Sequence, residues 1–397
     1  MHHEDFPILK NDLIYFDNGA TSLKPQRVVD AIVDYYTKYT ANAHRGDYDN
    51  SIKVDEKYAN SRKIIKDFIH AKSTKEIIFT SGTTDSLNRI VFGYFENQLQ
   101  ENDEVLVTVS EHASNLLPWF ELEDKKGIKV RYIELDSNYE VTIENLKQAI
   151  TPRTKVISLA HITNVIGDVR PIEEMIKMAH QNHILCVIDG AQSVPHLPID
   201  VQKLDLDFLT FSGHKMCGPT GSGVLYVKED LLPHLKPVLY GGGMNASFSP
   251  SGERLYHASP DLYEAGTQNI AGIIGLGEAV QYLEQLGMDR IHQYELELKE
   301  YAVKRMKEIP QITIYNEHSQ SGIISFNYEG IFAQDLAIYL NRSHISIRSG
   351  SHCAKILNQE IGIKNTCRIS FYFYNTKEEI DRMIEVLKNP HIYEEII

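Results

Sequence analysis

From residue 76 onward the chain keeps returning to one pattern, a short run of apolar and β-branched residues followed by a longer stretch with helical spacing. Residues 76–80 (EIIFT), 105–109 (VLVTV), 130–135, 156–160, 184–189 and 208–212 read as strands. Residues 86–97 and 172–182 carry the 3.6-residue period of amphipathic helices. Strands that are apolar on both faces and alternate with helices call for a parallel sheet covered on both sides. The run 223–227 follows 208–212 with no helical pattern between them. Further on, 269–286 is a long helical pattern stopping before Gly287, a natural C-cap, and 293–306 is a second helix. Strands at 312–315, 322–328, near 345–348 and at 367–371, with helices from Ala333 and over 377–387, describe a smaller unit.

Composition narrows the function classes. The 397 residues hold 40 Lys+Arg against 54 Asp+Glu, a formal charge of −14, which argues against nucleic acid or an anionic membrane as partner. The central apolar run 184–188 is far too short to span a bilayer. No basic start leads into an apolar segment, so no secretory leader and a cytoplasmic location are expected. The 4 cysteines include no C-x-x-C pair, so neither a disulfide scaffold nor a metal site is expected.

Asp189 closes one strand and is followed by Gly190-Ala191-Gln192, while another strand runs into Ser212-Gly213-His214-Lys215. The carboxyl ends of parallel strands open onto one crevice, so both residues can face one ligand. Alone, an Asp at a strand end is a turn former and a Lys is a solvated side chain. Together they meet the need of pyridoxal 5′-phosphate (PLP), a Lys for the Schiff base and a carboxylate that keeps the ring nitrogen protonated. Ser81-Gly82-Thr83-Thr84-Asp85, between a strand and a helix, suits a phosphate and equally suits an ordinary helix cap. His112, after the strand 105–109, is either a ring-stacking imidazole or a satisfied surface histidine. Cys353 lies in Arg348-Ser-Gly-Ser-His-Cys353-Ala-Lys355, whose polar, cationic flanks favour exposure and a thiolate. Cys186 and Cys367 sit in strands as inert thiols, and Cys217 reads as packing. Arg348 and Arg368 are candidates for a carboxylate clamp or for structural ion pairs.

In combination these motifs resemble the cysteine desulfurases of the class V aminotransferase superfamily. The match covers nearly the whole chain, from Tyr15-Phe-Asp-Asn-Gly-Ala-Thr21 to Cys367-Arg-Ile-Ser370. It includes Asn42-Ala-His44-Arg-Gly46, Glu111-His112-Ala-Ser-Asn115, Thr163-Asn164-Val-Ile-Gly167, Asp189-Gly-Ala-Gln192, Ser212-Gly-His-Lys215, Gly218-Pro-Thr-Gly221, Glu264-Ala-Gly-Thr267 and Arg348…Gly350…Cys353-Ala354. The short Arg-x-Gly-x-x-Cys-Ala loop is similar to the SUF-type (group II) branch. Two positions depart from that branch: Ser351 stands where it often has a second histidine, and Lys355-Ile356 where it often has Gln-Pro.

The resemblance implies an α/β fold of the PLP-dependent transferase type I. A large domain (16–268) would carry a mainly parallel seven-stranded sheet between helices. A smaller α+β domain (1–15 and 287–397) would hold the cysteine loop, with 269–286 as the connecting helix. It further implies Lys215 as the Schiff-base lysine, Asp189 as the partner of the ring nitrogen, Gln192 on the phenolic oxygen and His112 on the ring face. Thr84, Ser212 and His214 would hold the phosphate, joined by Thr267 from the second subunit of a homodimer. Asn164, Arg368, Arg348 and His44 would bind substrate, and Cys353 would accept sulfur. The expected reaction converts L-cysteine to L-alanine with a persulfide on Cys353, handed to an acceptor protein of iron–sulfur cluster assembly. The alternatives are a selenocysteine lyase or a sulfide-releasing desulfhydrase on the same site. Outside catalysis, the alternative is a silent PLP-fold scaffold for sulfur transfer.

Overall fold

The computed structural model describes residues 3–43 and 46–395. Its largest sheet has seven strands: Ile77–Thr80 (β1), Glu104–Thr108 (β2), Lys129–Ile133 (β3), Thr154–Ala160 (β4), Leu185–Asp189 (β5), Phe208–Ser212 (β6) and Gly223–Val227 (β7). They lie in the order β1-β7-β6-β5-β4-β2-β3, all parallel except β7, which runs antiparallel to β1 and β6. That reversal follows from the missing helix after Ser212, since a parallel return needs a long crossover. This is the mainly parallel sheet between helices that the sequence implies.

Strand alternation splits the apolar residues between two cores. Phe79, Leu106, Ile157, Ile188 and Leu209 face a core shared with helices Gln26–Lys38, Asp49–Phe68 and Ile270–Leu286. Ile78, Val105, Val107, Val156 and Phe208 face the other, filled by Ile90, Phe95, Trp119 and Leu122. Ile270–Leu286 is buried along most of its length, is capped by Asn269 accepting from the Gly272 N–H, and ends at Gly287 with φ 86°.

A second sheet, Ile312–Tyr315 (β8), Ile323–Tyr328 (β9), Arg348–Gly350 (β10) and Thr366–Ser370 (β11), is antiparallel in the order β8-β9-β11-β10. Leu298, Phe326, Leu336, Ile369, Ile380 and Ile384 fill its core. The start of the chain reaches this side, where Ile14–Tyr15 pairs in parallel with Ile345–Ser346 and Phe16 is fully buried.

Three elements differ from their sequence outline. The single strand expected near 345–348 is two, because Ile345–Ser346 pairs with Ile14–Tyr15 whereas Arg348–Gly350 joins β11. The helix expected at 86–97 begins at Thr83, and its middle, Arg89–Phe95, is π-helical. The helix expected at 293–306 begins at Met288, since the single residue Gly287 ends one helix and starts the next. Among the described residues no helix is long and apolar enough to cross a membrane.

Candidate active site

Each parallel strand β1, β2, β4, β5 and β6 delivers its carboxyl end to one cavity of about 210 Å³, which β10 and β11 close from the other side. β5 ends in Asp189, 5% exposed, whose Oδ1 accepts from the Ala191 N–H at 2.9 Å. β6 runs into the turn Gly213–Lys215, which aims Lys215 into the same space. Burial pushes the Asp189 carboxyl up to about 6 and the Lys215 amine down to about 8, each opposed by the charge of the other. The two sequence-nominated partners therefore share one site, with charges poised to change.

β1 leads through Gly82, at φ 149°, into a helical run that starts at Thr83. The Thr83 N–H donates to Ser212 Oγ at 2.8 Å, and the two hydroxyls lie 2.9 Å apart. Thr84 Oγ1 is 2.7 Å from Ser114 Oγ. Thr83, Thr84, Ser212 and His214 thus form a hydroxyl- and amide-rich corner at a helix start, suited to a phosphate. Burial lowers His214 to about 4, so it sits there uncharged at neutral pH.

β2 places His112. Its Nδ1 accepts from the Ser114 N–H at 3.1 Å, which assigns the ring proton to Nε2, and burial beside Lys215 lowers it to about 4. Behind it lies a buried ion pair between Glu111 and Arg170. Arg170 also donates to Thr108 and Ser110 hydroxyls at 2.8 Å, and Glu111 accepts from the Ala160 N–H at 2.7 Å. This network ties β2 to β4 and holds the His112 loop in place.

The cysteine loop joins β10 to the helix Lys355–Glu360. Cys353 is exposed at the cavity rim, while Cys186, Cys217 and Cys367 are buried. Burial holds Cys217 and Cys367 up at about 12. His352 and Cys353 both adopt left-handed backbone, φ 51° and 58°, uncommon for residues with a Cβ. The conformation is held by the Ala113 N–H donating to Cys353 O at 2.9 Å and Asn164 Nδ2 donating to His352 O at 2.7 Å. Arg368, on β11, donates to Asn164 O at 2.8 Å and to Asp17 Oδ1 at 3.1 Å.

Four buried atoms on the cavity wall have no hydrogen-bond partner among the described residues: Gln192 Oε1, Asn164 Oδ1, His352 Nδ1 and Arg368 Nε. Unpaired buried polar atoms are rare in folded proteins and mark a place for a polar ligand. With a carboxylate, a lysine, an imidazole and a hydroxyl corner arrayed around them, the residues present fit PLP and an amino acid.

Of the residues the sequence nominates, Lys215, Asp189, Gln192, His112, Thr84, Ser212, His214, Asn164, Arg348, Arg368 and Cys353 all line this cavity. Thr267 does not: it is exposed on the surface, where its Oγ1 accepts from Asn42 Nδ2 at 3.3 Å. His44 lies outside the described residues. Thr83, Gly19, Ser114 and His352 belong to the wall without having been singled out, and Asp17 stands behind it. Each is an unremarked neighbour in a motif already noted, which was the available signal.

The model of the family described as aminotransferase class-V matches residues 14–383. A probable cysteine desulfurase of Halalkalibacterium halodurans is 40% identical over 393 residues, covering 98% of this chain and 97% of that protein. Among solved structures, a cysteine desulfurase from Thermococcus onnurineus superposes with a TM-score of 0.94 at 38% identity, over 97% of this chain and 96% of its own. The cysteine desulfurase CsdA from Escherichia coli, solved in an S-sulfonic acid form, gives 0.93 at 33% identity, over 100% and 98%.

Proposed function

This chain belongs to the aminotransferase class-V family, and we propose that it works there as a PLP-dependent cysteine desulfurase: L-cysteine and an acceptor thiol give L-alanine and a persulfide. The observation that carries the reading is that Cys353, the exposed cysteine, shares one cavity with Lys215 and Asp189.

PLP bound there supplies a Schiff-base carbonyl and an electron sink that lets the Cα–H and Cβ–S bonds of an amino acid break. Lys215 would anchor it, and Asp189 would keep a negative charge against its ring nitrogen. Gln192 would face its phenolic oxygen, and Thr84, Ser212 and His214 would hold its phosphate. Arg368, Arg348 and Asn164 take the substrate carboxylate, which turns the amine toward Lys215. With its amine brought down to about 8, Lys215 has an appreciable neutral fraction at neutral pH and can remove the Cα proton. His112, uncharged and with its proton on Nε2, moves the proton of the substrate thiol. Cys353 sulfur then bonds to the substrate sulfur as the Cβ–S bond breaks. The electron pair of that bond returns to the carbon skeleton, which is protonated to L-alanine.

The Thr267 hydroxyl reaches a phosphate only from a second copy, so the active assembly is a homodimer. Val29, Val33 and Tyr36 expose an apolar stripe on Gln26–Lys38, and Tyr48 and Ile52 are exposed as well, which supports such a face. The short cysteine loop supports the SUF-type branch, with the persulfide passed to a protein of iron–sulfur assembly in the reducing cytoplasm. The test is the absorption spectrum before and after L-cysteine with alanine measured in parallel. Wild type should show a yellow cofactor band that responds to L-cysteine and should release alanine. Lys215→Ala should lose covalent linkage and turnover, and a fully active Lys215→Ala would sink the assignment.

A further inference from the structure

Arg348 and Arg368 stand directly opposite each other on the antiparallel pair β10–β11. Like charges in that position repel. The side chain between them is Asp17, with Oδ1 3.1 Å from Arg368 Nη2 and Oδ2 3.7 Å from Arg348 Nη1. Both arginines line the cavity, and Asp17 sits behind them. Its backbone is fixed along the end of β11: Asp17 bridges Ser370, the Ser370 N–H donates to Phe16 O at 2.7 Å, and the Gly19 N–H donates to Ser370 Oγ at 2.7 Å. A Cβ on Gly19 would come within 3.2 Å of the Arg368 guanidinium, so the segment is laid against that group as closely as a glycine permits. Arg368 has a second anchor in Asn164 O, so its placement does not depend on Asp17 alone.

We propose that Asp17 is a positioning residue that sets the charge of the substrate-carboxylate clamp, holding two guanidiniums at a net single positive charge. The inference rests on the reading of Arg348 and Arg368 as that clamp. A clamp of net charge +1 grips one carboxylate and lets the product, which keeps the same carboxylate, leave. Without Asp17 the clamp would carry +2 and hold substrate and product alike too tightly.

The experiment uses holoenzyme of wild type, Asp17→Asn, Arg348→Gln and the double variant. Asparagine keeps an oxygen that can accept from Arg368 and removes only the charge. L-cysteine KM and kcat are measured, with dissociation constants for L-alanine and for ethylamine, which is L-alanine without its carboxylate. A charge removed at this range should tighten L-alanine and lower the L-cysteine KM by roughly tenfold in Asp17→Asn, with ethylamine unchanged. Arg348→Gln should weaken both by a similar factor, and the double variant should return to near wild type. A raised or unchanged KM in Asp17→Asn, an equal shift for ethylamine, or no rescue in the double variant overturns the proposal. Asp17→Ser gives the same reading where Asp17→Asn does not fold. If wild type forms no alanine from L-cysteine, the desulfurase reading fails by itself, and the L-alanine and ethylamine pair still decides the clamp.

Discussion

Cys353 and Asp189 are the residues whose environments make the sharpest demands. Cys353→Ser leaves Lys215, Asp189 and the arginines in place, so the variant should bind PLP and still respond spectrally to L-cysteine. Alanine formation should fall by orders of magnitude, because a hydroxyl is a far weaker acid and nucleophile than a thiol at neutral pH. After brief exposure of wild type to L-cysteine, mass spectrometry should find the extra sulfur on Cys353, since burial keeps Cys186, Cys217 and Cys367 as thiols. Asp189 makes a demand on stability. In the cofactor-free protein its carboxyl is raised from 3.8 to about 6, so between those values the folded chain holds a proton the unfolded chain has released. That contribution is present at low pH and is lost as pH rises through about 6. Cofactor-free Asp189→Asn avoids the loss and should be more stable than cofactor-free wild type at pH 8, by about 1–3 kcal/mol. Thermal unfolding should show the gap closing toward pH 4, and an equal gap at both pH values would refute the assignment.

At the scale of elements, the phosphate corner depends on how closely β1 and β7 approach. A Cβ on Gly223 would lie 2.4 Å from Gly82 Cα. Gly223→Ala should therefore push the Gly82 turn outward, costing about 1–3 kcal/mol and weakening PLP binding, readable in a cofactor titration. The strands and the site residues at their ends were legible in the sequence because a both-faces-buried strand writes an unbroken apolar run. Gln26–Lys38 went unread although its helical period is clear, because it precedes residue 76, where the strand–helix alternation begins. The polar helix Asp49–Phe68 escaped for a different reason, since Ser51, Ser61 and Arg62 are buried on its inner side. Arg62 is inward because it pairs with Glu264, some two hundred residues on, a partner that no local pattern announces. Asp17 was hidden in the same way: its role exists only where β10 and β11 meet the first segment.

For the whole molecule, the proposed role of Thr267 calls for two copies, each completing the other's site. Light scattering should report a dimer at assay concentrations, and Val33→Glu on the exposed apolar stripe should yield monomers that lose turnover. Monomers with full activity would contradict the need for Thr267 of a second copy. The meeting of Asp17 with Arg368 has one more consequence, in the timing of synthesis. The two contacting residues are 351 positions apart, and β11 follows every other strand of both sheets. Domains emerge from the ribosome N-terminus first, so the sheet that presents Lys215 can assemble while Cys353 and Arg368 are still untranslated. A nascent chain can thus take on its scaffold but cannot bring Lys215, Cys353 and Arg368 together until β11 is made.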